Sequence, residues 1–126
     1  TSHARSILRK QVPLKKVVKQ TANIAGLISG LYLNDYSLIS RSLNDEIIER
    51  ERSLLIPEYY SLKNAAIDSG ALGCGISGSG PSIYALSKGN KIANEIASSF
   101  KSVINKLGID YDIYISKINQ NGVKSI

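Results

Sequence analysis

The stretch Gly70-Ala71-Leu72-Gly73-Cys74-Gly75-Ile76-Ser77-Gly78-Ser79-Gly80-Pro81-Ser82 decides how the rest of the chain is read. Ala71 to Ile76 and Ile83 to Leu86 are short apolar runs of strand character, and the Ser-Gly-Ser-Gly-Pro between them is turn chemistry. The spacing therefore predicts two strands joined by a loop. Gly78 and Gly80 accept positive φ without the steric cost that a side chain imposes, so consecutive backbone N–H groups can converge on one point. Convergent N–H groups bind anions; the hydroxyls of Ser77 and Ser79 add donors, and Pro81 stiffens the exit. A glycine-rich hairpin that only turns a corner has the same composition. No Lys-Ser or Lys-Thr pair follows the last glycine, which excludes a Walker A loop.

Working upstream, Gly70 is placed to end a helix as a left-handed cap, and that helix runs from Pro57 to Asp68 with Leu62, Ala65 and Ala66 on its inner face. Before it, Ile39, Leu43 and Ile47 predict one helix from Tyr36 to about Arg52, with Arg41 and Glu49 on the polar side. On such a helix Asp45 and Arg52, seven residues apart, lie two turns apart on similar faces. An earlier helix starts at Pro13 and carries Leu14, Val17, Val18, Thr21, Ile24, Ala25, Ile28 and Leu31 at helical spacing, the pattern of an amphipathic core helix. Asn34-Asp35 closes it and can cap the next one. Residues 2–9 read as a short helix capped by Ser2.

Downstream of the loop, Lys88-Gly89-Asn90 is a turn, and Ile92, Ile96, Phe100, Val103, Ile104 and Leu107 mark a long helix ended by Gly108. Tyr111, Ile113 and Ile115 alternate with polar neighbours as in a half-buried strand, and Asn119-Gln120-Asn121-Gly122 is a polar tail. Helices, two strands, a helix and a strand in that order give an α+β sandwich, with helices on one face of a mainly antiparallel sheet.

With 126 residues, 43% of them apolar and 21% charged, the chain suits a single domain. It contains no Met, as expected of a piece of a longer protein, and no apolar run approaches the roughly 20 residues of a membrane span. A cytoplasmic protein without a membrane partner is the expectation. The net charge of +6 gathers around Lys10, Lys15, Lys16 and Lys19 without interleaved aromatics, a solvated face rather than a nucleic-acid footprint. Cys74, the one cysteine, reads as a small buried strand residue, and no Cys/His cluster offers a metal site.

Gly-Ala-Leu-Gly followed by Ile-Ser-Gly-Ser-Gly-Pro-Ser and an apolar strand resembles the third motif of the GHMP kinases, and within them homoserine kinase is the most similar. Thr1 and Arg5 match that family's Thr-x-x-x-Arg; Asp45, Arg52, Ile56 and Pro57 match its Asp seven residues before an Arg leading into Ile-Pro. The resemblance implies that residues 1–126 form the C-terminal domain, in a ferredoxin-like two-layer version with a first strand just before Thr1. A sheet without that strand has an open edge that invites strand exchange or a homodimer. The resemblance further implies transfer of the ATP γ-phosphate to L-homoserine, chemistry that rests on positioning and electrostatics. In it Thr1, Arg5 and Arg52 bind substrate, Asp45 orients Arg52 or substrate, and Ser77, Gly78, Ser79 and Gly80 face the phosphoryl group. ATP and Mg2+ would be held mainly by an N-terminal domain, whose Gly-Leu-Gly-Ser-Ser type loop does not occur in this sequence. Two readings compete: another small-molecule kinase of the mevalonate type, and a non-catalytic ferredoxin-like binding module.

Overall fold

The hairpin and two helices that share its apolar face make the core. In the computed structural model, which describes residues 2–123, β1 (Gly73–Ile76) pairs antiparallel with β2 (Ile83–Leu86), with Gly73 opposite Leu86 and Ile76 opposite Ile83. The Leu72 N–H extends the ladder by donating to Leu86 O at 2.7 Å. Helix α5 (Tyr59–Asp68) contributes Leu62 and Ala66, helix α6 (Gly89–Ile104) contributes Ile96, Phe100 and Ile104, and Ala71 and Cys74 complete the cluster. Each large apolar side chain buried there is worth about 1.5–3 kcal/mol, so this cluster dominates the stability of the chain. The α5 to β1 connection follows the sequence: Gly70 takes φ +92 and the Ala71 N–H donates to Ala66 O at 2.9 Å, closing the helix end. Gly89 and Asn90 form the first turn of α6 instead of a separate turn before it.

Four further helical segments precede this core: α1 (Ser2–Ser6), α2 (Leu14–Leu33), α3 (Tyr36–Ser42) and α4 (Glu49–Arg52), the last running into a single 3-10 turn at Ser53–Leu55. Asn34 in the left-handed region ends α2, and Asp35 caps α3 by accepting from the Leu38 N–H at 2.9 Å, as its sequence predicts. The two helices approach closely at Gly30, where a Cβ would sit 2.9 Å from Ile39 Cγ1 and 3.0 Å from the Ile39 nitrogen.

Four sequence expectations are corrected. The helix expected from Tyr36 to Arg52 breaks after Ser42, because Leu43 turns its side chain over Gly73, where a Cβ would lie 2.5 Å from Leu43 Cβ. The 44–46 segment is then pinned to α2, with Asn23 Nδ2 donating to Asn44 O at 2.9 Å and the Glu46 N–H donating to Gln20 Oε1 at 2.8 Å. Second, α2 is not a core helix with its apolar stripe inward. Leu14 (77% exposed), Val18, Ile24 and Ile28 (51%) face out, while the side with Gln20, Asn23, Gly26 and Gly30 meets the chain. Third, residues 111–116 set Ile113 against the core without forming a strand, so among the described residues the sheet has two strands. A ladder needs a neighbour for its backbone groups, and alternation of side chains alone does not supply one. The α1 helix is also shorter than residues 2–9. The accessible surface of 9092 Å² exceeds the roughly 6,600 Å² of a compact monomer of this size, in keeping with the outward stripe and the unpaired segment.

Candidate functional site

Among the described residues the glycine loop is held from within by two backbone hydrogen bonds, Ser77 N–H to Ser82 O at 2.8 Å and Gly80 N–H to Ser77 O at 3.1 Å. Gly78 (φ +60) and Gly80 (φ +79) both occupy the left-handed region, and the Gly80-Pro81 bond is cis. The two glycines differ in what surrounds them. A Cβ on Gly80 would come within 3.3 Å of Ile56 Cδ1, whereas one on Gly78 would meet nothing within 4 Å. Gly80 therefore seats the loop on Ile56, and Gly78 presents open backbone to its surroundings. The Gly78 and Ser79 N–H groups stand outside the loop's own hydrogen bonds.

Arg52 reaches this loop from the end of α4: its Nη1 donates to the Gly78 carbonyl oxygen. The following 3-10 turn, with the Ser53 hydroxyl donating to Arg50 O at 3.0 Å, carries the chain into buried Ile56 beneath the loop. Two segments 26 residues apart in sequence thus meet at one guanidinium. The Arg52 Nε is covered by protein and has no acceptor among the described residues. A buried donor without a partner costs about 1–3 kcal/mol, so this side chain is held in place against a desolvation penalty.

Asp45 stands apart from that contact. Instead of lying two helical turns before Arg52, it sits in the connection between α3 and α4, where its Oδ1 accepts from the Ile47 and Ile48 N–H groups at 2.8 Å each. It starts the turn that leads into α4. Arg5 is exposed on α1. The segment after that helix is tied to α4 by Arg9 Nε and Glu51 Oε1 at 2.8 Å. Thr1 lies outside the described residues.

Composition did not foretell the buried charges beside this region. Glu49, expected on a polar helix face, is 8% exposed and accepts from Lys63 Nζ at 2.6 and 2.8 Å. Tyr59 beneath it is buried with no hydrogen-bond partner for its hydroxyl among the described residues, and burial first, then the Glu49 charge, raises its pKa. Burial also pushes the Cys74 thiol up to about 11, so it is a protonated core group at neutral pH. A cavity of about 230 Å³ lined by Gln20, Asn23, Asp45, Glu49, Cys74 and Tyr84 opens on the opposite side of the hairpin from the α5/α6 core. Arg52 and the glycine loop do not line it. Among the described residues no group of three or more His, Cys, Asp or Glu side chains could hold a metal ion, and no helix is long and apolar enough to cross a membrane.

Comparison with known proteins places this arrangement. The family described as GHMP kinases C terminal matches residues 27–106, a span that contains Asp45, Arg52 and the whole glycine loop. The chain belongs to this family. Arg5 and residues 111–116 fall outside the matched span of this GHMP kinase chain. It is 42% identical over 128 residues to a homoserine kinase of Chlorobium phaeobacteroides, an alignment covering 100% of the chain and 40% of that protein. To a homoserine kinase of Chloroherpeton thalassium it is 44% identical, over 97% of the chain and 39% of that protein. The crystal structure of homoserine kinase from Cytophaga hutchinsonii superposes with a TM-score of 0.92 at 49% identity, covering 95% of this chain and 38% of that one. The chain therefore spans about two fifths of the length of the relatives it matches.

Proposed function

We propose that the protein carrying this chain is a homoserine kinase and that this chain is its C-terminal domain. The observation that carries the reading is the Arg52 to Gly78 contact, which brings an arginine suited to an amino-acid carboxylate against a loop suited to a phosphoryl group. Relatives named homoserine kinase, 42–44% identical along nearly the whole chain, support the choice of substrate. In the reaction the hydroxyl of L-homoserine gives up its proton to solvent as its oxygen bonds to the γ-phosphorus of ATP, the bond from that phosphorus to the bridging oxygen breaks, and ADP leaves with O-phosphohomoserine formed. Such transfer depends on holding the two substrates in line.

The residues have separate parts in this reading. Arg52, with Arg5, holds the substrate's carboxylate, and Thr1 is assigned to the substrate side; a planar guanidinium gives a carboxylate two parallel hydrogen bonds. Asp45 acts at one remove, by fixing the turn that aims α4 and hence Arg52. The open Gly78 backbone and the Ser79 N–H, which has no partner among the described residues, fit a phosphoryl oxygen. With no acidic cluster among the described residues, we assign Mg2+ and the body of ATP to the rest of the protein. The test is a coupled ADP-release assay on the full-length protein. Turnover that depends on L-homoserine and is absent with mevalonate is expected; the reverse preference, or none, overturns the reading.

A further inference from the structure

We propose that Arg52 couples the substrate's carboxylate to the glycine loop, so that binding of the amino acid itself sets the loop before phosphoryl transfer. The inference rests on the homoserine reading above and adds a positioning role that a carboxylate ligand alone does not require. Its basis is the division of donors on one guanidinium. Nη1 is committed to the Gly78 carbonyl, and Nε, on the other side of the planar group, is covered and without an acceptor among the described residues. A carboxylate that takes the edge formed by Nε and Nη2 shifts the guanidinium enough to uncover Nε. Because Nη1 stays on Gly78, the shift moves the loop as well. The space at the Gly78 Cβ position is open, whereas Gly80 approaches Ile56 closely, so Arg52 holds the loop at its less crowded end.

The substrate's carboxylate then affects turnover as well as binding. The probes are L-homoserine and 3-aminopropan-1-ol, the same amino alcohol without its carboxylate, given to the full-length protein in the absence of ATP. Hydrogen exchange at the amides of residues 77–80 is the readout. With L-homoserine these amides are expected to exchange at least threefold more slowly, and with 3-aminopropan-1-ol at the unliganded rate. In Arg52→Lys, where a single ammonium cannot serve both acceptors, saturating L-homoserine is expected to leave them unprotected. The wild-type comparison of the two probes needs no variant, so a misfolded Arg52→Lys does not blunt the test. Protection that persists in Arg52→Lys, or that both probes give equally in the wild type, overturns the coupling while the homoserine reading stands. Absence of homoserine turnover in the wild type overturns both.

Discussion

Arg52 has two competing explanations that differ in what lysine does at its position. It follows Glu49, Arg50 and Glu51 at the end of α4, where any cation is favoured by the helix dipole. A structural cation there is largely replaced by Lys, whereas a fork that holds a carbonyl and a carboxylate together is not. In the full-length protein, Arg52→Lys is expected to keep its melting temperature within a few degrees while kcat/KM for homoserine falls by roughly tenfold or more, about 1.4 kcal/mol of transition-state stabilisation. Steady-state kinetics beside a thermal melt separates the explanations, and unchanged catalytic efficiency would leave only the helix-end role. Cys74 gives a second test at this scale. Its thiol, near 9 in ordinary surroundings, titrates at about 11 in the fold, so the unfolded chain loses the proton first as pH rises. Stability on this account is unaffected below about pH 9, declines between about 9 and about 11, and levels off above, a loss of roughly 3 kcal/mol. Buried Tyr59 and half-exposed Tyr84, both raised by burial, add to the decline at its upper end, so the measurement is the difference in urea midpoints between wild type and Cys74→Ala. A difference that does not change from pH 8 to 11 would contradict the assignment.

Among the elements, α2 inverts the usual meaning of its own pattern. Its inner side meets the chain through Gly26, Gly30 and two amides, and its apolar stripe faces out. A single methyl on the inner side should therefore cost more than loss of a whole apolar side chain on the outer one. Gly30→Ala forces a carbon to within 3.0 Å of the Ile39 backbone and is expected to destabilise the chain by about 1–3 kcal/mol. Ile28→Gln, at a site already 51% exposed, should fall within about 0.5 kcal/mol of wild type. Chemical denaturation of the two variants decides, and the opposite order would mean that the stripe is buried in solution. The contrast also shows where sequence reading succeeds. The Gly70 helix end, the Asn34-Asp35 join and the apolar faces of α5 and α6 were legible because each is settled within a few residues. Which face of α2 turns inward depends on what stands opposite, and helical periodicity carries no information on that. The break after Ser42 was hidden for the same reason: it follows from Leu43 meeting Gly73, thirty positions away. Arg52 and the glycine loop could be named as separate motifs, but their contact, and the burial of Glu49 against Lys63, exist only in the folded chain.

At the scale of the whole molecule, the proposed reading gives this chain one part of the reaction and leaves another elsewhere. In that reading the loop and Arg52 address the transferred group and the carboxylate, while among the described residues no group of side chains could hold the nucleotide's metal. The 126-residue chain alone is accordingly expected to release no ADP in a homoserine-dependent assay; turnover by the isolated chain would place the nucleotide site here after all. The outward stripe of α2 has a calorimetric consequence too. Unfolding raises the heat capacity by bringing apolar groups into contact with water, about 12–15 cal/mol/K per residue in ordinary globular proteins. Leu14, Val18, Ile24 and Ile28 are largely wet before unfolding begins, so melting them adds little new hydration. Scanning calorimetry of this chain should consequently give a heat-capacity increment below the roughly 1.5–1.9 kcal/mol/K usual for its length, and a correspondingly flat dependence of stability on temperature.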